Sequence, residues 1–361
     1  MNIVRLLVSK LFSRKFASLI PKVIINGIPL VFSSCYNYYR LGIFSNSINV
    51  ESSNVCQLKC PECATAKGEI QAALGHGYLS FTNFKAFVDK HPISNIELSN
   101  WGEMFLNPHL VEILEYAHLK NISLTANNGV NFNAASDKVI ESLVKFKFKK
   151  MTVSIDGASN DTYEIYRKRG NFDKVIENIK KLNSYKEKYQ SNLPILKWQF
   201  VIFGHNENDL PVAMKMAENL NMEFSYLRNA FLPYSPIVNR QFVKDVTGME
   251  YLTSHEYEET TERPTTMACH QLWTSPQVNF DGKLLGCCWN HWGDFGNVFE
   301  TSLKDCLKSE KYVQTKNMLL GRSEIAEDSP CLSCPVYEKV KTKPNIVRDV
   351  LIEQSIAQVI G

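Results

Sequence analysis

Most of the ten cysteines in this sequence are clustered. Cys56-Gln-Leu-Lys-Cys60-Pro-Glu-Cys63 puts three thiols in one short loop, with Cx3Cx2C spacing. Thiols this close do not pair into tidy disulfides, but as thiolates they bind metal. A structural zinc site takes four ligands, usually on paired CxxC arms. Three cysteines can instead hold three irons of a [4Fe–4S] cube and leave the fourth iron open to a substrate or cofactor. A second group, Cys269, Cys287, Cys288, Cys306 and the CxxC pair Cys331 and Cys334, lies toward the C-terminus. A chain of 361 residues needs no disulfide staples, so clustered thiols point to metal or redox chemistry. Cys35 stands apart and reads as structural.

The elements that must position these thiols follow a regular rhythm. The length suits about two domains at roughly 150 residues each. β-rich runs are expected at Ile48–Asn54, Ser94–Ser99, Asn121–Ala126, Lys150–Ile155, Ile195–Phe203 and Met222–Arg228. Helical patterns lie between them, near 82–90, 108–119, 135–147, 172–189 and 207–220. Strand–helix alternation implies a parallel sheet with right-handed crossovers. Six units fall short of the eight in a closed barrel. The expected fold is therefore α/β: a partial (β/α)6 barrel over 48–228, with its site at the C-terminal strand ends. Residues 229–268, with Pro233, Pro236 and Pro264, read as a linker or a lid. Residues 269–340 read as a small cysteine-rich module and 341–361 as a terminal helix.

Composition excludes several classes. Hydrophobic residues are 44% and charged residues 21% of the chain, ordinary values for a globular protein. Net charge is only +3, so the chain is no nucleic-acid-coating polycation. Residues 1–47 form a basic extension in which 1–20 read as an amphipathic helix. That helix either packs on the main domain or lies on an anionic membrane surface; an acid-poor start is also compatible with a transit peptide. No secretory signal is evident. The expected location is cytoplasmic, with peripheral membrane contact through residues 1–20 as the alternative.

Cx3Cx2C after the first strand of a partial barrel resembles the radical S-adenosylmethionine (radical SAM) superfamily. Four further segments, each at a strand end, are similar to that family's motifs. Leu98-Ser-Asn-Trp-Gly102-Glu103-Met104 resembles its GGEP segment, with Trp101 and Met104 at the departing positions. Thr125-Ala-Asn-Asn-Gly129 resembles its TNG turn and includes Asn127. Ser154-Ile-Asp156-Gly157 is followed by Tyr163 and Tyr166-Arg167-Lys-Arg-Gly170. Phe200-Val-Ile202-Phe-Gly204-His-Asn-Glu207 resembles its adenine-side GxIxGxxE pattern, with Phe200 at the first glycine. The resemblance implies that Gly102 and Glu103 meet the methionine amino group, an ammonium that suits a carboxylate. It implies that Ser154 and Arg167 serve the methionine carboxylate or ribose, a guanidinium being suited to bidentate contact, with Asp156 among the cofactor-binding residues. Asn127, Ile202 and Gly204 complete the expected cofactor set. Cys56, Cys60 and Cys63 would hold the SAM-binding [4Fe–4S] cluster.

The second thiol group resembles the SPASM/twitch auxiliary-cluster domain. Cys269 is followed after twelve residues by Gly282, after four more by Cys287, and later by Cys331 and Cys334. These four suffice for one auxiliary [4Fe–4S] cluster, zinc being the alternative. Either Cys287 or Cys288 is the ligand, with spacing favouring Cys287. Cys288 or Cys306 is a structural thiol or a hydrogen-atom donor. Trp289, His291 and Trp292 would shield the cluster.

The resemblance implies reductive cleavage of SAM to a 5′-deoxyadenosyl radical and abstraction of a substrate hydrogen. A fully ligated auxiliary cluster favours electron transfer, so the expected outcome is oxidation of a sugar, polyol or similar small substrate. His205, Glu207 and Asp281 are candidate bases by position. The alternative is a peptide-modifying maturase of epimerase, cross-linking or sulfatase-maturation type; the distant alternative is a non-catalytic zinc or iron–sulfur module. Expected partners are a small-molecule, glycan or peptide substrate and an electron donor such as flavodoxin or ferredoxin. Nucleic acid is not expected.

Overall fold

The computed structural model describes residues 46–360 except 232 and 325. The expected amphipathic helix over 1–20 and Cys35 lie outside the described residues. The remainder forms two compact units, one of residues 49–266 with 278–283, the other of 46–48 with 267–277 and 284–360.

In the first unit the sequence rhythm becomes a parallel sheet. Its strands are β1 (Ser47–Val50), β2 (Asn95–Glu97), β3 (Ser123–Val130), β4 (Lys150–Ser154), β5 (Ile195–Val201) and β6 (Met222–Leu227). A short β7 (Gln277–Val278) follows much later in the chain, and the sheet order is β6-β5-β4-β3-β2-β1-β7. Pairs β2–β3, β3–β4, β4–β5 and β5–β6 are all parallel, so their C-terminal ends share one edge. The sheet has two ends, β6 and β7, and the six expected strands gain a seventh beside β1, where Glu51 N donates to Val278 O at 2.8 Å.

The helices between strands start where a side chain can satisfy the first free N–H groups. Ser80, Ser136 and Asn171 cap helices Phe81–Lys90, Asp137–Lys145 and Phe172–Tyr189. Each helix buries one apolar stripe against the sheet; in Phe172–Tyr189 this is Phe172, Val175, Ile176, Ile179 and Leu182. Met151 and Val153 of β4 and Trp198 and Phe200 of β5 are fully buried, each pair two residues apart and so on one face of its strand.

Residues 229–268 hold more regular structure than a linker. Helices Arg240–Thr247 and Ser254–Thr261 are capped by Asn239 and Thr253. The second unit packs helix Glu310–Leu319 through Tyr312, which is fully buried and donates to Leu272 O at 2.7 Å. Its last helix is Pro344–Ile360. Among the described residues no helix is long and apolar enough to cross a membrane.

Candidate active site

The loop after β1 carries Cys56, Cys60 and Cys63, all free thiols. It is pinned where it meets the 167–170 turn: Lys59 N donates to Lys168 O at 3.0 Å. Leu58 and Cys60 pack with Tyr166, Val201 and Phe203, and Cys56, Cys63, Phe231 and Tyr234 lean on the same cluster. Tyr166 lies 4.6 Å from Phe203 between ring centroids. Burial in this aromatic nest pushes the Cys56 thiol up to about 12, with the Glu103 carboxylate, Cys60 and Cys63 adding to the rise. Burial also raises Cys60, against the pull of Arg167. A bare thiolate is costly here, and a bound iron cation supplies the charge that offsets that cost. Among the described residues no three such side chains converge on a point that would hold a single metal ion. A cube places each thiolate on its own iron and asks for no such convergence.

Arg167 stands beside these thiols. Its Nε donates to Asp156 Oδ2 at 2.5 Å, and its Nη1 lies 4.0 Å from Cys60 Sγ. Burial works against the guanidinium charge, but Asp156 and Cys60 outweigh it and raise its pKa further. Asp156 is fully buried and also accepts from Val201 N at 2.7 Å, which ties β4 to β5. Ser154, at the end of β4, faces Gly129: a Cβ there would lie 2.5 Å from Ser154 Oγ, and Gly129 has φ +110°.

The loop after β2 comes close to the strand end of β1. A Cβ on Gly102 would lie 1.9 Å from Ser53 O, so only glycine fits. Glu103 is buried and accepts from Phe105 N at 3.1 Å and Asn131 N at 2.6 Å. Burial raises its carboxyl to about 7, with those two N–H groups opposing the rise. Asn131 also points its side-chain amide toward Cys56 Sγ at 3.7 Å. Two carboxylates outside these motifs organise this edge. Glu51 accepts from Trp101 N at 2.9 Å, and burial lifts its pKa to about 8. Glu97 takes Asn127 N at 2.8 Å, Thr125 Oγ1 at 2.6 Å and Ser99 Oγ at 2.6 Å. Asn127 is thereby held by Glu97, its side chain donating to the same carboxylate at 3.0 Å. An acid inside or just beyond an apolar strand is the sequence signal that would have found both.

At β5, Ile202 is fully buried and Gly204 makes room for residue 236; a Cβ would lie 2.1 Å from Pro236 O. Both Glu207 oxygens are taken, by Val238 N and Asn239 N at 2.8 Å each. Asp281 organises a turn, accepting from Asn279 Nδ2 at 2.8 Å and pairing with Lys283 Nζ at 3.1 Å. His205 differs from these two: its Nδ1 meets Ser235 Oγ at 2.7 Å, and its buried Nε2 has no hydrogen-bond partner among the described residues. Burial lowers its pKa, with Asp156 and Asp209 opposing, so the ring is neutral at pH 7.

In the second unit, Cys269 is raised well above the ordinary thiol value by burial and by Cys287, Cys331 and Cys334. Burial pushes Cys287 up to about 11, while the backbone N–H groups of Trp289 and Asn290 point at its sulfur and oppose the rise. Burial raises Cys331 too, with Cys287 and Cys334 beside it. Trp292 Nε1 donates to Pro330 O at 2.5 Å and so draws the 287–293 loop to the CxxC turn. Trp289 is 37% exposed. Cys288 turns to Gln271: its N–H donates to Gln271 Oε1 at 2.7 Å, and burial, with Cys287 adding, raises its thiol to about 12. Cys306 Sγ contacts Thr301 Oγ1 at 3.2 Å.

Taken unit by unit, these features define an α/β protein built to hold iron–sulfur clusters, one beside a cationic site on the parallel sheet. Comparison with known proteins agrees. The radical SAM superfamily model matches residues 50–216, and an iron–sulfur cluster-binding (SPASM) domain model matches residues 269–335. The probable GTP 3′,8-cyclase of Methanocaldococcus jannaschii is 27% identical over 217 residues, 55% of this chain and 67% of that protein. Streptococcus suis SuiB bound to S-adenosylmethionine superposes with TM-score 0.59 at 15% identity, covering 94% of this chain and 85% of that one. SuiB bound to precursor peptide SuiA gives TM-score 0.57 at 14% identity, over 92% and 84% of the two chains. Native anSMEcpe with bound AdoMet gives 0.50 at 14% identity, over 87% and 95%. The chain carries a radical SAM superfamily domain over residues 50–216 followed by an iron–sulfur cluster-binding domain over residues 269–335. It uses S-adenosylmethionine and a [4Fe–4S] cluster, and carries an auxiliary iron–sulfur domain.

Proposed function

We propose that this radical SAM enzyme is an oxidoreductase that removes hydrogen from a carbon of a sugar, polyol or similar small substrate and passes the second electron to its auxiliary cluster. One observation supports the proposal: Cys269, Cys287 and Cys334 are buried and Cys331 is half-buried, and the other three thiols lie near enough to Cys269 to raise it, four thiols for the four irons of one cluster. A cluster with no open iron serves electron transfer rather than substrate binding. When bound, the first cluster and SAM supply a 5′-deoxyadenosyl radical that takes a hydrogen atom from the substrate.

The protein's own residues then have the following roles. Cys56, Cys60 and Cys63 hold the first cluster, and the aromatic nest of Tyr166, Phe203 and Tyr234 keeps water from it. Arg167, oriented by Asp156, meets the methionine carboxylate or the ribose. Ser154 and the loop of Gly102 and Glu103 complete the methionine side. Glu207 anchors the chain after β6 rather than moving protons, and Asp281 shapes a turn. His205 is the remaining proton acceptor of the three candidates, its neutral form favoured by burial and its Nε2 without a partner among the described residues. Exchanging His205 for Gln tests that role: deuterium from labelled substrate still reaches 5′-deoxyadenosine, but oxidised product falls at least about 100-fold, the usual scale for losing a general base. Equal product formation assigns His205 to packing.

A second reading is a peptide-modifying maturase. Its support is the likeness across nearly the whole chain to a protein crystallised with a precursor peptide. Screening deuterated sugars and polyols beside short peptides separates the two. Deuterium transfer from a sugar or polyol with a product two hydrogens lighter supports the first reading. Transfer only from peptide overturns it, and in an epimerase Cys288→Ala or Cys306→Ala would then abolish turnover while leaving abstraction intact.

A further inference from the structure

In the second unit a lysine is set among buried aromatic rings. Lys316 lies on helix Glu310–Leu319, its Nζ 5.0 Å from the Trp273 ring centroid and 5.6 Å from that of Tyr312. Both rings are buried, and both belong to segments that carry or flank the thiols. Trp273 follows Cys269 in a turn closed by Leu272 N on Cys269 O at 3.2 Å. Burial raises the Tyr312 hydroxyl well above its ordinary value, and Cys287 and Cys331 beside it add to the rise. The residue before Lys316 ties the same helix to the CxxC turn. Thr315 Oγ1 donates to Ser329 Oγ at 2.8 Å, and Ser329 Oγ accepts Cys331 N at 3.2 Å. Lys188 also stands over two tyrosine rings, but at the surface and paired with Glu141. Burial pushes Lys316 down to about 7, so a nearby anion is what would keep it charged. The other charged residues of the helix are Glu310, at its start, and Lys311, which stands over Phe295 at 5.8 Å.

We propose that Lys316 tunes the auxiliary cluster: from beside the Trp273 and Tyr312 rings its ammonium raises the cluster's reduction potential and so favours uptake of an electron from the substrate radical. The proposal rests on Cys269, Cys287, Cys331 and Cys334 being the cluster ligands. A cluster held by four thiolates is anionic, and more so once reduced. A fixed cation in a water-poor setting therefore favours the reduced form. The same anion favours the protonated lysine, and the two aromatic faces hold the ammonium in place. The electron that the substrate radical loses is the one that the cluster gains. Lys316 keeps its proton, and no bond forms or breaks at it; it is a positioning residue that acts through its field.

The test is a redox titration of the anaerobic holoenzyme without substrate, followed by electron paramagnetic resonance, on wild type, K316M and K316R. The full-chain variant C56A/C60A/C63A identifies which signal belongs to the auxiliary cluster. In K316M the auxiliary midpoint should fall, so that at the wild-type midpoint the reduced-to-oxidised ratio drops at least about tenfold, which is ~59 mV for one electron. K316R keeps the charge and should titrate with the wild type. The midpoint of the first cluster should move in neither variant. Equal auxiliary midpoints in K316M and wild type overturn the proposal. So does an equal fall in K316M and K316R, which would assign the effect to packing rather than charge. If K316M does not retain the auxiliary iron, K316Q replaces it and is read in the same way; if K316Q and K316R lose that iron too, Lys316 holds the fold and the proposal fails. A Cys287→Ser variant that keeps all its iron overturns the ligand assignment on which the proposal rests. A lowered K316M midpoint in an enzyme that oxidises no sugar or polyol supports the tuning and overturns the oxidation reading instead.

Discussion

Glu51→Gln removes a buried carboxylate that holds the loop after β2. In the wild type its carboxyl accepts the backbone N–H groups of Trp101, Gly102 and Ser53, yet burial still lifts its pKa from 4.5 to about 8. The folded protein therefore disfavours the ionised form. Below pH 4.5 the group is neutral in both folded and unfolded chains and costs nothing. As pH rises past 4.5 the unfolded chain releases its proton first, and stability falls by about 1.4 kcal/mol per pH unit until the folded group also ionises. The loss is roughly 4 kcal/mol by pH 8, where the folded group is half ionised, and about 2 kcal/mol of it falls between pH 6 and pH 8. Glutamine has no such titration. Urea midpoints at pH 6 and pH 8, read on anaerobic holoprotein, should therefore show the wild type losing about 2 kcal/mol more than the variant across that interval. An identical pH dependence in the two proteins would refute the reasoning, because Glu51 would then not be the titrating group.

Other substitutions probe neighbouring contacts. Asp156→Asn leaves the Arg167 guanidinium without its 2.5 Å partner; breaking a buried pair costs about 3–5 kcal/mol, to be read as a lowered unfolding midpoint together with weaker SAM binding. Gly204→Ala puts a methyl 2.1 Å from Pro236 O, and relief by backbone movement should cost about 1–3 kcal/mol in the same measurement. Cys287→Ser should remove about four irons per chain, whereas Cys288→Ser should retain them; iron analysis after anaerobic reconstitution checks both.

Apolar alternation made the sheet legible. Strand Ile195–Val201 alternates buried residues with exposed or half-buried ones, and helix Phe172–Tyr189 announces its cap at Asn171 and its stripe at helical spacing. The helices within 229–268 were missed because each is only eight residues long and prolines flank them, although Asn239 and Thr253 are good capping residues. β7 was missed because two residues carry no periodicity; its place depends on a partner strand far back in the chain. At the site, cysteine spacing is a local signal and was readable. The identity of the carboxylates was not. Glu207 sits in a motif yet spends both oxygens on Val238 and Asn239, while Glu51 and Glu97 sit outside any motif and hold the loops that the motifs mark. Which backbone N–H groups reach a carboxylate is decided by tertiary approach, as at Gly102 against Ser53.

The most direct measurement is metal analysis with SAM cleavage on anaerobically reconstituted protein. Iron, sulfide and zinc are counted, reductant and S-adenosylmethionine are added, and 5′-deoxyadenosine is quantified. Two clusters require about eight irons with matching sulfide, and 5′-deoxyadenosine should vanish when Cys56, Cys60 and Cys63 are replaced by alanine. Zinc with little iron, and no 5′-deoxyadenosine from the intact protein, would contradict the assignment of both thiol groups.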